Sequence, residues 1–293
     1  MVKIITIRDS LAHVPKYMPQ AEDAAQMSNF LPYTEDQVHK IIMSMPSKSC
    51  ELDSMPTYLL KEILSAVLPT ITNIINLSLM HGLFVSTWKS AVIRPLLKKT
   101  GLDLITSNYR PVSNLTFLSK VLEKTALEQF MQHCNINGLF PTYQSAYRKD
   151  HSCETALTHL IDDLLWAMEK QKVTAMIMID LSSAFDTVDH DILLTVLNKK
   201  FGIENQVLGW FDSYLTPHTC KVNVGNVYSA EKNLDVSVPQ GSCAGAVLFS
   251  AYASMLASVI PSGVDVHGYA DNHALKTVFR TSSKRARDNH GTV

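Results

Sequence analysis

The stretch that decides the fold is Val173-Thr174-Ala175-Met176-Ile177-Met178-Ile179-Asp180, an apolar run that stops at an aspartate. A short apolar run bounded by polar residues favours a β-strand over a helix, and apolar side chains on both faces indicate a central strand of a sheet. The pattern therefore predicts a strand that delivers the carboxylate of Asp180 to the end of a sheet.

A second strand pair is predicted over residues 264–279, with its turn near Asp271 and Asn272. Helical spacing of apolar residues precedes the first strand, over residues 117–131 and 154–170, and follows it over residues 191–201. Because helices come first and strands then alternate with helices, we expect an α+β fold in which helices back a small antiparallel sheet.

Local signals add detail to the remaining chain. Thr34 with Gln37 predicts a capping box at a helix start, and Pro69 is expected to split two helices over residues 58–67 and 71–83. A β-branched run at residues 91–93 predicts a strand that leads into a basic loop, and residues 107–111 are expected to form a turn. Alternation around Gly225 predicts a hairpin within residues 221–238.

Composition narrows the class of protein. The chain has 293 residues, a formal net charge of −1, 46% hydrophobic and 18% charged residues, values typical of a folded domain. The balanced charge excludes a globally basic nucleic-acid coat and leaves a local basic groove open. The five cysteines form no C-x-x-C pair, which argues against a disulfide framework or a structural zinc site.

The chain shows no sign of export or membrane insertion. Its first ten residues have too short an apolar run for a signal peptide. No uninterrupted apolar stretch approaches the roughly 18 residues that a spanning helix needs. We therefore expect an intracellular protein, nuclear and/or cytoplasmic, that is not secreted and has no membrane partner.

Asp180 and Asp271 are the first candidate site residues. Each has a structural alternative, since aspartate is favoured at helix N-caps and in hairpin turns. If their strands are neighbours, the two carboxylates form a hard-oxygen site that suits Mg²⁺. Two such ions about 3.5–4 Å apart would hold the attacking and leaving oxygens of an in-line phosphoryl displacement.

Two further groups could contact a phosphorylated ligand. Pro239-Gln240-Gly241-Ser242 combines a glycine that permits close backbone approach with an amide side chain, although, taken alone, the segment is better explained as a plain turn. Loop cations suit phosphate, and a solvated loop is their structural alternative. The loop cations are Arg94, Lys98, Lys99 and Arg110, and a basic tail that resembles an import signal contains Arg280, Lys284, Arg285 and Arg287.

Five segments carry a resemblance when they are taken together and in order. They are Ser107-Asn108-Tyr109-Arg110-Pro111-Val112-Ser113-Asn114-Leu115, Gln144-Ser145-Ala146-Tyr147-Arg148, Asp180-Leu181-Ser182-Ser183-Ala184-Phe185-Asp186, Pro239-Gln240-Gly241-Ser242 and Tyr269-Ala270-Asp271-Asn272. The chain resembles the reverse transcriptase domain of non-LTR retrotransposons of the LINE type, Jockey-like in particular. The similarity covers about residues 53–279.

This resemblance implies a right-hand polymerase fold of fingers and palm, with a small antiparallel palm sheet backed by helices and the thumb missing. It implies an N-terminal lead-in and helix at residues 1–52 and a fingers-like helical region at 53–172. The palm, with the metal and nucleotide motifs, would span residues 173–279, and a polar tail would span 280–293.

The resemblance also implies a catalytic group. Asp180 and Asp271 would hold two Mg²⁺ ions, or Mn²⁺ in their place, and Asn272 would complete the group. The family has a second aspartate where this chain has Asn272, and an amide brings no negative charge to a metal. Loss of one preorganised electrostatic group often costs about 10²–10³ in rate.

The same resemblance implies a nucleotide pocket. Phe185 would exclude the 2′-hydroxyl of a ribonucleotide, Gln240 and Gly241 would line the pocket, and Arg110 would contact the triphosphate. The expected partners are an RNA template with a DNA primer and deoxynucleoside triphosphates.

The expected function is therefore the core of an RNA-directed DNA polymerase that works by two-metal nucleotidyl transfer. Low or no activity is expected, because Asn272 replaces a carboxylate and the chain ends soon after this motif. The alternative is a non-catalytic retrotransposon remnant that at most binds nucleic acid or a protein partner.

Overall fold

The computed structural model describes residues 25–148, 150–181, 184–216, 218–225, 227–234 and 236–280, and the predicted α+β class is confirmed. The helices are α1 Glu35–Ser44, α2 Thr57–Glu62, α3 Leu64–His81, α4 Phe117–Ile136, α5 Cys153–Glu169, α6 His190–Lys199, α7 Asn205–Leu215 and α8 Cys243–Ala253. The strands are β1 Ser90–Leu97, β2 Tyr109–Asn114, β3 Val173–Asp180, β4 His218–Val224, β5 Val227–Tyr228, β6 Lys232–Leu234, β7 Asp265–Tyr269 and β8 Asn272–Phe279.

Two compact units divide the described chain. The larger unit contains residues 25–141 and 184–259, and the smaller unit contains residues 142–181 and 260–280. Each unit is discontinuous in sequence, because the chain leaves the larger unit, forms α5 and β3, and returns. The predicted domain bounds, drawn as continuous segments, stay predictions.

Helix α1 begins as its sequence predicts. The Thr34 side chain accepts a hydrogen bond from the Gln37 backbone, and the Gln37 side chain accepts one from the Thr34 backbone. This reciprocal pair satisfies donors that a helix start leaves unpaired. The helix then buries Val38, Ile41 and Ile42 in the core of the larger unit.

The predicted helix break at Pro69 is wrong. The chain leaves helical geometry at Ile63, and Pro69 lies inside α3, near its N-terminal end. Proline removes one backbone donor, and the burial of Leu64, Leu68 and Ile71 in the core offsets that loss.

An aromatic cluster forms the centre of the larger unit. Trp210 and Tyr214 on α7 are fully buried with stacked rings 5.7 Å apart, and Phe84 packs edge-on against both. Within the described residues α3 is the one helix long and apolar enough to cross a membrane. Its residues Leu64, Ile75 and Leu79 are buried in this core, whereas Leu77 and Met80 are exposed.

The sheet of the larger unit has the order β2-β1-β4-β5, and β6 also pairs with β4. Strands β1 and β4 are parallel, whereas β1–β2 and β4–β5 are antiparallel. The predicted hairpin around Gly225 is confirmed, since β4 and β5 pair across it and Gly225 has φ +58°. Strand β2 lies at the edge of this sheet, where Pro111 costs no internal ladder bond.

The smaller unit is an antiparallel sheet of order β3-β8-β7, and the predicted strand pair over residues 264–279 is confirmed. The prediction that residues 173–179 form a central strand is wrong, because β8 is central and β3 lies at the edge. The side chains of Ile177 and Met178 are 66% and 71% exposed. The apolar run therefore specifies a strand and not burial on both faces.

An ion-pair network links helix α5 to this sheet. Asp163 bonds His267 Nε2 at 2.9 Å and the ammonium of Lys276, whose side chain is 4% exposed. Lys276 lowers the pKa of Asp163. The apolar residues Leu157, Ile161 and Leu165 of α5 are exposed, whereas Ala167 is fully buried.

Candidate active site

The register of β3 and β8 brings Asp180 to the strand end that carries the other acidic candidate. Asp180 lies directly opposite Asn272 in this antiparallel pair, and the Leu181 N–H donates to the carbonyl of Asp271 at 3.1 Å. Directly opposed residues project on the same face of a sheet. Asp180 and Asn272 are exposed and Asp271 is half-buried.

Asp271 lies in the turn between β7 and β8, where backbone conformation and hydrogen bonds constrain its position. Ala270 has φ +55°, a left-handed value that is uncommon outside glycine. The Asn272 side-chain N–H donates to Asp271 Oδ1 at 3.2 Å. The buried side chain of Gln144 bonds both backbone groups of Ala270, accepting from its N–H at 3.1 Å and donating to its carbonyl at 3.3 Å.

The donor set at this strand end suits a hard cation. Asp180 and Asp271 offer carboxylate oxygens, the ligands that Mg²⁺ prefers. In the described part of the chain, no group of three or more His, Cys, Asp or Glu side chains could hold a metal. The Asn272 side chain uses its amide N–H on one oxygen of Asp271.

The segment Pro239–Ser242 is fixed against the edge strand β2. The Ser113 N–H donates to the Gln240 carbonyl at 2.7 Å. Gly241 has φ +115°, and a Cβ there would lie 2.7 Å from the Ser113 carbonyl oxygen. Gln240 Oε1 is buried and has no hydrogen-bond partner among the described residues. This unpaired acceptor is the feature of the segment that most suggests a ligand.

A buried carboxylate holds the other side of this segment. Glu123 on α4 is fully buried, and its Oε2 accepts from the backbone N–H groups of Cys243 at 2.6 Å and Ala244 at 3.1 Å. It thereby caps the first turn of α8, whose N-cap Ser242 also accepts from Gly245 N–H at 2.8 Å. Burial raises the pKa of Glu123 to about 7.

Phe185 is tied to the same segment. The Val238 N–H donates to the Phe185 carbonyl at 3.0 Å. The Phe185 ring stacks on Phe249 of α8 with 5.0 Å between centroids. Phe185, Gln240 and Gly241 therefore belong to one packed region of the larger unit.

Two of the predicted loop cations, Arg94 and Arg110, lie on strands β1 and β2 instead. Arg94 pairs with Glu51 at 3.1 Å, and Lys98 donates to the Ser107 carbonyl at 2.8 Å. Arg110 is exposed on β2. Alternation along the strand puts its side chain on the face opposite Ser113.

A cavity of about 1010 Å³ lies at the sheet of the larger unit, and Arg94, Tyr109, Val222 and the half-buried Asp186 are among its lining residues. Burial raises the pKa of Asp186. The cavity is lined by apolar side chains together with charges of both signs, and sequence reasoning did not predict it.

Glu123 and Gln144 are the two residues whose supporting roles sequence reasoning missed. Glu123 follows Leu122 within the apolar face of α4, and a carboxylate on such a face signals a buried partner. Gln144 begins one of the segments that carry the family resemblance, yet nothing in the sequence predicts that its amide bonds the backbone of Ala270.

Comparison with known proteins identifies the class. A family model described as reverse transcriptase (RNA-dependent DNA polymerase) matches residues 97–289. The chain therefore belongs to the reverse transcriptase family.

Individual relatives indicate which kind of reverse transcriptase the chain resembles. The chain is 29% identical over 256 residues to the RNA-directed DNA polymerase from mobile element jockey of Drosophila melanogaster, covering 83% of this chain and 27% of that protein. It is 28% identical over 226 residues to the probable RNA-directed DNA polymerase from transposon BS of the same organism, covering 77% and 25%. The expected resemblance to a non-LTR retrotransposon reverse transcriptase domain is thereby confirmed.

The chain spans about a quarter of the length of these relatives. Among solved structures, apo telomerase from Candida tropicalis aligns with a TM-score of 0.48 and 13% identity over 81% of this chain and 48% of that one.

Proposed function

We propose that this chain is the polymerase core of a reverse transcriptase and transfers deoxynucleotides to a primer on an RNA template. The observation that carries the proposal is the β3–β8 register, with Asp180 opposite Asn272 and next to the Asp271 backbone. In the proposed reaction the primer 3′-hydroxyl releases its proton to solvent, and its oxygen bonds to the α-phosphorus of a deoxynucleoside triphosphate. The bond from this phosphorus to the β-bridging oxygen breaks, and pyrophosphate leaves.

Metal binding is assigned to the smaller unit. Asp180 and Asp271 would hold two Mg²⁺ ions, or Mn²⁺, through carboxylate oxygens. When bound, such ions neutralise phosphate charge and favour ionisation of the primer hydroxyl. The protein contributes the strand-end geometry that fixes where the carboxylates lie.

Nucleotide binding is assigned to the larger unit. The unpaired Oε1 of Gln240 can accept a hydrogen bond from a sugar or base. Gly241 allows close approach of the backbone, Phe185 would exclude a 2′-hydroxyl, and exposed Arg110 would contact the triphosphate. We also propose that the fold is a right-hand polymerase fold of fingers and palm. The missing thumb stays a prediction.

A second candidate is supported by one contact. Asn272 donates a hydrogen bond to Asp271 Oδ1, which competes with a metal for that oxygen and adds no charge. A non-catalytic remnant that binds nucleic acid or a protein partner would have this feature. An intracellular location is proposed for either candidate, and the predicted import residues Lys284, Arg285 and Arg287 lie outside the described residues.

Primer extension tests the two candidates. The full chain is incubated with a poly(rA) template, an oligo(dT) primer, dTTP and either Mg²⁺ or Mn²⁺. The polymerase proposal expects metal-dependent extension that is abolished in Asp180→Ala and Asp271→Ala. No extension by the wild-type chain, combined with salt-sensitive binding of the template–primer, would support the remnant instead.

A further inference from the structure

We propose that Gln144 is a positioning residue that holds the turn bearing Asp271 in the conformation needed to bind metal. This inference rests on the proposed function of Asp271 and adds a residue to that site. All the contacts that support it lie within the smaller unit.

Both polar atoms of the Gln144 amide bond backbone groups. Its Oε1 accepts from Ala270 N–H at 3.1 Å and from Ala146 N–H at 3.2 Å, and its Nε2 donates to the Ala270 carbonyl at 3.3 Å. The reversed amide orientation would oppose the NH₂ group to two N–H donors. Only glutamine, with a donor and an acceptor at this reach, fits both backbone groups of Ala270.

Ala270 needs such support because its backbone is strained. A non-glycine residue at φ +55° is in a sparsely populated conformation, and such residues persist where the surroundings over-determine them. Gln144 is 3% exposed, so water does not compete for these bonds. The next residue in the chain is Asp271, whose carboxylate direction depends on this turn.

The chain around Gln144 is itself fixed to the sheet. Gly268 N–H donates to the Tyr143 carbonyl at 2.8 Å, and Ser145 N–H donates to the Gly268 carbonyl at 2.9 Å. A side chain on Gly268 would meet the rings of Tyr143 and His273 at 3.1–3.3 Å. The segment therefore runs along the outer edge of β7 and carries the Gln144 amide to the turn as a rigid support.

The chain contains a matched control at Gln129. Its amide bonds the two backbone groups of Leu31 in the same way, with both distances 2.8 Å, in the larger unit. Replacing either glutamine by alanine removes a pair of backbone contacts. Only the change at Gln144 should alter metal binding, because Gln129 has no link to the Asp271 turn.

The test measures Mn²⁺ affinity of the full chain by the electron paramagnetic resonance signal of free Mn²⁺, and amide hydrogen exchange at residues 266–272. Gln144→Ala is expected to weaken Mn²⁺ binding about 10–100-fold, as loss of an outer-shell partner does. In this variant the amide hydrogen of Ala270 should also exchange about 10-fold or more faster than in wild type, after correction for any change in global unfolding. Gln144→Glu, which keeps the acceptor and loses the donor, should weaken Mn²⁺ binding in the same direction, and Gln129→Ala should change neither measurement.

Each result decides the inference. Equal Mn²⁺ affinity in wild type and Gln144→Ala, or an equal loss in Gln129→Ala, would overturn it. If the wild type binds no Mn²⁺, the proposed metal site fails, and hydrogen exchange at Ala270 then decides separately whether Gln144 holds the turn. Unchanged exchange there in Gln144→Ala would overturn the positioning role.

Discussion

Asp180 and Asn272 face each other across the antiparallel pair of β3 and β8, so a carboxylate meets an amide where two carboxylates would hold cations more strongly. The Asn272 amide also donates to Asp271 Oδ1. This one side chain therefore lowers the negative charge of the strand end and engages a candidate ligand oxygen.

Asn272→Asp should increase primer extension by about 100-fold or more, because it adds a preorganised charge to the site. Without divalent cations the same variant should melt at a lower temperature than wild type, since three carboxylates then repel one another. Added Mg²⁺ should reverse this loss. The measurements are extension rates and thermal unfolding with and without EDTA.

Asn272→Ala is the control, because it removes the hydrogen bond to Asp271 and adds no carboxylate. Equal extension by the two variants would mean that freeing Asp271 Oδ1, rather than adding charge, is what matters.

Gly241→Ala should destabilise the larger unit and weaken nucleotide binding together. Its Cβ would lie 2.7 Å from the Ser113 carbonyl oxygen, in a backbone with φ +115°. The strain should cost about 1–3 kcal/mol of unfolding free energy, and relief by movement of the loop would displace Gln240. Urea unfolding and the affinity for a fluorescent deoxynucleoside triphosphate measure the two effects.

Gly101→Ala supplies the comparison, since Gly101 has φ +85° and a Cβ at this position would meet no atom within 4 Å. It should lose stability from backbone strain alone and keep full nucleotide affinity. A loss of affinity at Gly101 as large as that at Gly241 would contradict the specific role of the Ser113 contact.

Phe185→Val should reduce discrimination against ribonucleotides by about 10-fold or more, because a smaller side chain leaves space for a 2′-hydroxyl. The ring also stacks on Phe249 at 5.0 Å, so about 0.5–1.5 kcal/mol of stability should be lost as well. Competition between dTTP and UTP in primer extension measures the first effect.

Phe249→Leu separates the two roles of Phe185, since it removes the stacking partner and leaves the proposed gate in place. Discrimination should then stay near the wild-type level. If it falls as far as in Phe185→Val, packing rather than a steric gate determines the selectivity.

The sequence predicts local elements better than it predicts which elements lie next to one another. The capping box at Thr34, the strand ending at Asp180 and the turn near Asp271 follow from short-range rules, and the structure contains all three. The pattern does not show that β8 lies between β3 and β7. Apolar periodicity indicates which side chains avoid water, but it does not identify the strand with which each strand pairs.

Prolines explain two further differences. Pro69 predicts a helix break, yet α3 continues through it because tertiary burial outweighs one lost donor. Residues 107–111 have the composition of a turn, although Tyr109–Asn114 is an edge strand that tolerates Pro111. In both cases the surroundings of the proline, which the sequence does not state, decide its effect.

The candidate site shows the same division. The roles of Asp180, Asp271, Gln240 and Gly241 follow from their motifs, whereas the supporting roles of Glu123 and Gln144 depend on contacts with distant backbone groups. Every residue has backbone groups, so the partner of a side chain that bonds backbone cannot be recognised from its residue type in the sequence.

Two buried groups should give opposite contributions to the pH dependence of stability. Burial raises the pKa of Glu123 from 4.5 to about 7 and lowers the pKa of His218 from 6.5 to about 4. Between pH 4.5 and 7 the native state holds the Glu123 proton more tightly than the unfolded state, so stability falls as pH rises, by about 3 kcal/mol in total. Between pH 4 and 6.5 the unfolded state holds the His218 proton more tightly, so stability rises with pH by about 3 kcal/mol.

The two contributions nearly cancel in the wild-type chain, and single substitutions should separate them. Relative to wild type, Glu123→Gln removes the fall, so its stability should gain about 3 kcal/mol between pH 4.5 and 7. His218→Gln removes the rise, so its stability relative to wild type should drop by about 3 kcal/mol between pH 4 and 6.5. Urea unfolding at half-unit pH steps measures both differences, and groups that titrate in all three proteins cancel from them. A Glu123→Gln curve parallel to the wild-type curve would mean that Glu123 is ionised throughout this range, held so by the N–H groups of Cys243 and Ala244.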